Sequence, residues 1–542
     1  MKRFQYILFT ILSVSLAGCK DYLTAPEPGV TRLEDYYTSG QACVYNVNGC
    51  YVPLMWEFSS TYCSEWFIGD VMSDDALKGG QNTNDMAAAF DLENWRTVSN
   101  NEIAYDVWRA NFYGIARCNM AIHYIPNVAT DSTMSASMKQ RLIGEAKFLR
   151  AFYYFRLVRI FGGVPLTLDV ISDDAEWTMP RASVEQIFTA IINDLQDAEA
   201  GLWNKSEYPA TELGRATKGA AQAMLMKTYL YMASPYWNKQ LSVSADECYA
   251  QAKYWGEQLI AAAEAGEYSL CANYADNFTL EGENGQESIF EIQYVEDPTS
   301  DYGGNEGGFG ATRGTFTIVL TRSRSSKIGG EGWGFNKPTN NLYQEYEPTD
   351  PRRDATILNP VDSLVENPNE EFYLGTRYLS RKYALYTNET GTEFYKLAHA
   401  TRGPINNKQI RLADAYLMYA EACLGAGDEA TAKTYINKVR ERVGLGEVGT
   451  YSITVNGQTI ANPTVEQCLR HERRVELAME GHRWFDLVRY GGTKAHMDAY
   501  AATETTEAKA QMNAFIEGVH ELLPIPSKER QLNTALTQNP GY

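Results

Sequence analysis

Leu142, Ala146, Leu149, Tyr153, Leu157 and Ile160 follow one another at steps of three and four. That is the period of an α-helix over residues 139–161 with one broad apolar face, and such a face must be covered by another element. Gly162 and Gly163 follow, with Pro165 just beyond, as a helix end requires. The sequences SVEQ at 183–186, SADE at 244–247 and TVEQ at 464–467 are capping boxes that open further helices. Three helical hairpins emerge: 139–161 with 184–202, 214–233 with 246–265, and 409–425 with 428–442 through Gly425-Ala426-Gly427. Small residues at Ala216, Ala220, Ala223, Ala413, Ala420 and Ala422 allow close helix contact. The expectation is a mostly α fold of tetratricopeptide-like hairpins, with an ordinary helical bundle as the plainer alternative.

Residues 31–56 also read as a helix, but two stretches interrupt the pattern. Residues 57–101 lack a sustained helical period. Residues 268–400 hold a strand-like alternation at 288–294 and a crowd of glycines between Gly303 and Gly334. Loop-rich inserts on a helical scaffold are where binding residues concentrate. The chain carries 36 tyrosines and 10 tryptophans, and some of those in the inserts point to sugar binding. Sugar rings stack their C–H faces on aromatic rings, while their hydroxyls need polar partners nearby. The candidates are Trp66, Trp95, Tyr294, Tyr302 and Trp333, with Phe309 beside them. Asp74 and Asp75 are candidate polar contacts, for hydroxyls or for calcium, though a solvated acidic loop is an equal reading. Asn82, Asn84 and Asp85 stand in the same position. Arg313, with Arg322, suits an acidic sugar. Trp108, Trp484 and Phe485 lie on periodic helices and belong to the core.

The N-terminus suggests a compartment. Lys2 and Arg3 precede an apolar run at 7–17, too short to span a bilayer, that ends in Leu16-Ala17-Gly18-Cys19. Residues 1–18 read as a lipoprotein signal peptide, Cys19 as the lipidated residue, residues 19–30 as a tether and residues 31–542 as one folded domain. The net charge of −20 becomes −22 without residues 1–18, which argues against nucleic acid or an anionic membrane surface as partner. Cys43 and Cys50, on one helix, would stand ~10 Å apart, too far for a disulfide. Buried thiols are expected for most cysteines. No zinc-protease, nucleophile-elbow or phosphate-loop motif is present, and no cofactor or metal is expected.

Residues 472–489 hold eight charged residues and His482 and look catalytic at first sight. Glu472, Glu476 and Glu480 lie one turn apart on a helix, a spacing that a glycosidase pair does not exclude. Arg473, Arg474, Arg483 and Arg489 are their expected partners. A carboxylate paired in that way stays ionised and makes a poor general acid. A structural ion-pair network is therefore the favoured reading.

Several blocks together resemble one family. EAKFLRAFYYFRLVRIFGGVP at 145–165, GRATKGAA at 214–221, DPRR at 350–353, RLADAYLMYAEA at 411–422, ERRVELAMEGHRWFDLVR at 472–489, LPIP at 523–526 and the closing QNPGY are similar, in this order, to the motifs of SusD-like (RagB/SusD) proteins. The resemblance implies an outer-membrane lipoprotein of Bacteroidota, facing the cell exterior, with four tetratricopeptide-like units and an irregular ligand-binding part. It implies a SusC-like TonB-dependent transporter as partner and non-catalytic capture of an oligosaccharide. Lys20-Asp21 is similar to, though shorter in acidic residues than, the family's surface-export signal. A peptide-binding or scaffold role and a surface glycoside hydrolase are the rival readings.

Overall fold

The computed structural model describes residues 36–57, 66–171, 178–296, 305–306, 309–310, 313–330 and 332–542. The expected signal peptide, Cys19, the tether and Tyr302 lie outside the described residues, as do the side chains of Trp66 and Phe309.

The frame is a stack of helices in chain order: α1 (Gly40–Tyr51), α2 (Glu102–Tyr124), α3 (Ala136–Phe161), α4 (Val184–Gly201), α5 (Lys218–Ala233), α6 (Ala245–Glu264), α7 (Leu412–Gly425), α8 (Glu429–Arg442), α9 (Val465–Leu477) and α10 (Arg483–Tyr490). From α2 to α7 each helix packs on the next. α7 packs on both α8 and α9, and α1 lies against α2 and α3. The three expected hairpins are thus α3–α4, α5–α6 and α7–α8. Their starts are chemically defined. Ser183, Ser244 and Thr464 each accept from the third residue onward while Gln186, Glu247 and Gln467 reach back, so all three capping boxes are closed. α5 is buried along almost its whole length, which places it at the centre of the stack. At Gly114 of α2 the ring of Tyr153 on α3 comes so near that a Cβ would stand 2.3 Å from it.

Three expectations need correction. Among the described residues the first long helix, Gly40–Tyr51, stops short of residue 56, because Pro53 cannot donate to a continuing ladder, and the chain tightens into a 3₁₀ turn over Val52–Met55. The helix expected from residue 409 begins at Leu412. Residues Asn407–Arg411 form a strand, antiparallel to Ser288–Ile292, where their backbone groups gain partners that a helix start would not supply. The segment 57–101 is not an open loop. It holds the short helices Trp66–Val71 and Ala87–Glu93, with the strand Ala76–Gly79 between them.

That last strand joins the two inserts. It pairs antiparallel with Phe335–Pro338, Ala76 opposite Pro338 and Gly79 opposite Phe335. The helix Trp66–Val71 meets the turn before α10 so closely that a Cβ on Gly69 would fall 2.0 Å from the Gly481 carbonyl oxygen. Trp108, Trp484 and Phe485 are buried in the main core, as expected. The seven described cysteines, Cys43 and Cys50 among them, are buried free thiols.

Candidate functional site

α9 and the turn after it carry the charged block, and its carboxylates are fully buried. Arg352 bridges Glu472 and Glu476, the second at 2.9 Å. Glu472 also meets Arg440 at 3.0 Å, and Glu476 meets Arg442 at 2.6 Å and Arg411. Glu480 takes Lys382 at 2.7 Å and Arg411 at 2.9 Å. Burial would raise the Glu476 carboxyl, but Arg442, Arg411 and Arg352 outweigh it and hold the group well below the usual range. The block is an ion-pair network, as favoured, but with other partners than expected. Arg473 turns to Asp414 and Asp486, Arg474 to Asp75 and Glu345, Arg483 to Asp74, and Arg489 to Glu421 and Asp486. Successive helical residues point ~100° apart. Arg473 and Arg474 therefore face away from Glu472 and Glu476.

The same network claims Asp74 and Asp75. Both are fully buried, not part of a solvated loop. Asp74 takes both fork nitrogens of Arg483, at 2.7 and 3.0 Å, and His496 at 2.7 Å. Asp75 takes Arg474 at 2.8 Å. Burial opposes the charge on Asp74, yet Arg474, Arg483 and His496 pull its carboxyl well below the usual range. Neither side chain is available to a sugar. Trp95 is only 6% exposed, its ring edge-on to Phe515 at 5.3 Å. Tyr294 is 7% exposed and its backbone N–H donates to Asn406 at 2.7 Å. Both are core residues, because the inserts fold back on the stack and use their own aromatics to seal against it. Arg322 is likewise buried, its Nε donating to the Ala384 carbonyl at 2.7 Å.

Two candidates remain at the surface where the inserts meet. Trp333 is half-buried. Its backbone N–H donates to the Val319 carbonyl at 2.7 Å, and its ring lies 5.8 Å from Phe316. Phe316 is itself covered by the Arg402 guanidinium at 3.9 Å. Arg313 is exposed, three residues before Phe316, and its carbonyl accepts from Val295 at 2.9 Å. Trp333 thus packs on an anchored phenylalanine, with Arg313 three residues before it in the chain. Glu57 fixes that anchor from the first insert by accepting from the Phe316 N–H at 2.9 Å.

Beside them the loop after strand Ala76–Gly79 exposes Gln81, Asn82 and Asn84. Asp85 pairs with Arg324 of the second insert at 2.7 Å, and Gln81 donates to Glu370 at 3.2 Å. The loop is held from beneath by Lys78, whose ammonium donates to the carbonyls of Asn82 at 3.0 Å and Asp85 at 2.6 Å. The ammonium sits among the rings of Phe90, Phe335 and Tyr373. Burial lowers the Lys78 pKa to about 8, against the pull of Glu93 and Asp85. Lys78 was not singled out in the sequence. Its only mark there is a lysine within an otherwise apolar and glycine run, Ala76-Leu77-Lys78-Gly79-Gly80.

Among the described residues no cluster of His, Cys, Asp or Glu is placed to hold a metal ion. No described helix is long and apolar enough to cross a membrane.

The chain is similar to known proteins along its whole length. A family model described as the SusD family matches residues 286–542, and one described as starch-binding, associating with the outer membrane, matches residues 58–230. SusD-like protein P2 of Formosa agariphila is 24% identical over the whole of both chains. Among solved structures, a laminarin-binding SusD-like protein superposes with a TM-score of 0.73 at 27% identity, covering 93% of this chain and 100% of the other. Surface glycan-binding protein A from Bacteroides uniformis gives 0.72 at 25%, covering 92% and 99%. With the two models together matching residues 58–230 and 286–542, and the fold shared over 93% of the chain, the chain belongs to the SusD family.

Proposed function

We propose that this protein binds an oligosaccharide without cleaving it, at the outside of the outer membrane. In this reading it is held there by lipid on Cys19 and passes its cargo to a SusC-like TonB-dependent transporter. The observation that carries the reading is Trp333, held half-buried at the junction of the two inserts, where its neighbour Gly334 accepts from the Gly80 N–H at 2.8 Å just before the exposed, amide-rich loop at 81–84. An indole gives a sugar ring a flat apolar face, and amides and a guanidinium give its hydroxyls partners. The likeness to a laminarin-binding protein at 27% identity supports a glucan as cargo. Trp66, at the head of the helix Trp66–Val71, and Tyr302 remain candidates for the same surface. Asp74, Asp75, Trp95 and Tyr294 do not. A hydrolase reading is not supported by the charged block, whose acids are tied to arginines.

Affinity electrophoresis through gels containing laminarin or starch tests this. The protein is expected to be retarded by one of them, with no release of reducing ends. Trp333→Ala should weaken retention by at least about tenfold, which corresponds to ~1.4 kcal/mol. Arg313→Ala should weaken it less. If no polysaccharide retards the protein while a peptide library does, the glycan reading fails and the peptide-binding alternative replaces it.

A further inference from the structure

The Trp333 surface is built on one buried acid, Glu57, which is only 3% exposed. Its Oε1 accepts from the Thr315 hydroxyl at 2.5 Å and from the Phe316 N–H at 2.9 Å. Its Oε2 accepts from the same N–H at 3.1 Å and from Nη1 of Arg402 at 3.3 Å. Arg402 lies across the Phe316 ring, and Gly403 beside it exchanges both backbone bonds with Thr315 at 2.9 Å. Phe316 then opens the helix Thr317–Thr321 by accepting from Leu320 at 2.9 Å. Val319 of that helix takes the Trp333 N–H, and Ser323 just after it takes the Gly332 N–H at 2.7 Å. One carboxylate therefore fixes the segment that holds Trp333 by its ring and by its backbone.

These contacts suit an anion. An ionised carboxylate only accepts, and Thr315, Phe316 and Arg402 all donate to it. A proton on Oε2 would face the Phe316 N–H and the guanidinium, both donors. A proton on Oε1 would force the Thr315 hydroxyl to turn. In either case the ion pair between Glu57 and Arg402 is lost. Burial nonetheless pushes the Glu57 carboxyl from 4.5 up to about 7, against the pull of the Thr315 bond, Arg402 and the Phe316 bond. The group therefore takes up a proton as pH falls through neutrality. The other titratable group facing it is the Tyr294 phenol, which burial and then Glu57 hold well above its ordinary range, with Arg156 of α3 opposing. That phenol stays protonated and adds no charge in this window. We infer that Glu57 is a positioning residue whose charge sets the Trp333 surface, so that a bound glycan is held less tightly as the medium turns acidic. The inference takes its ligand from the reading proposed above.

The protein has ten tryptophans, so 5-fluorotryptophan labelling gives a countable ¹⁹F spectrum, in which Trp333→Phe identifies the Trp333 line. Without sugar, that line is expected to move with pH about a midpoint near 7, while the helical circular-dichroism signal stays constant. Glu57→Gln should leave the line flat across the same range. Thr315→Val removes one bond to the ionised form and should carry the midpoint to higher pH. Retention of the parent in laminarin or starch gels should weaken by at least about tenfold from about pH 8 to about pH 5.5, the effect of a glycan that lowers the Glu57 pKa by one unit. Retention of Glu57→Gln should be weak at both. The inference is overturned if the Trp333 line ignores pH, if it titrates equally in Glu57→Gln, or if the parent is retained equally at both pH values. A line that titrates as expected in a protein that no polysaccharide retards at any pH would instead sink the glycan reading and leave Glu57 as the residue that sets Trp333.

Discussion

Asp70 lies at the foot of the joined inserts, fully buried, accepting from the Gly481 N–H at 2.8 Å and from the Asn336 amide at 2.9 Å. Burial pushes its pKa from 3.8 up to about 8, with the Asn336 bond pulling the other way. Between those values the folded chain holds a proton that the unfolded chain has released. Asp70 therefore costs stability progressively as pH rises through that window. Asp70→Asn removes the titration. Asn336 Oδ1, which has no partner among the described residues, can turn to accept from the new amide. Denaturant midpoints across the window should show the variant gaining on the parent by at least ~1.4 kcal/mol, one pKa unit's worth. Parallel curves would show that Asp70 does not titrate there. Arg474 makes the opposite case. It meets Asp74 at 2.9 Å, Asp75 at 2.8 Å and Glu345 at 2.9 Å, all buried. Arg474→Met leaves three carboxylates short of a cation and should destabilise by about 3–5 kcal/mol in urea unfolding. Arg474→Lys should rescue little, because an ammonium cannot reproduce the fork. Nothing local to Asp74-Asp75 announces these partners, which lie some 400 residues away in the chain.

Elements were far more legible. The α3 stripe, its Gly162-Gly163 stop and the three capping boxes are local chemistry, and they form where the residues place them. A β-hairpin at 453–460 was missed although its signal is plain. Asn456 and Gly457 both adopt positive φ, at 48° and 71°, the requirement of a two-residue type I′ turn. They join Ile453–Val455 to Gln458–Ile460. Close approach is less visible. Nothing in the sequence around Gly114 says that Tyr153 lies across it. Gly114→Ala should force the ring aside and cost about 1–3 kcal/mol by overpacking, readable as a lowered thermal midpoint with the helical circular-dichroism signal kept.

At the scale of the molecule, the two family-model matches fall on either side of α6, but the core does not divide there. α5 and α6 bury their faces against α7, and α5 also packs on strand Ser288–Ile292. A chain ending at residue 285 would leave Gly256 and Tyr249 of α6 without Tyr419 and Gly425 of α7, against which they pack. It is expected to show no cooperative melting transition, which co-expression with residues 286–542 should restore. A sharp, reversible melt of the fragment alone would mean that the stack folds in independent halves.

By itself, the sequence determined the helical class, most helix boundaries, the identity of the charged block as a structural network and, through ordered motifs, the family. Those features rest on periodicity and on contacts within a few residues, which a linear chain displays directly. Only the tertiary structure decided which insert aromatics remain at the surface and which become core, and which arginine serves which acid. Trp95 and Trp333 look alike in sequence, each in a loop-rich stretch. One closes on Phe515 and the other stays half-buried at the rim, because burial depends on what the rest of the chain brings up against each ring.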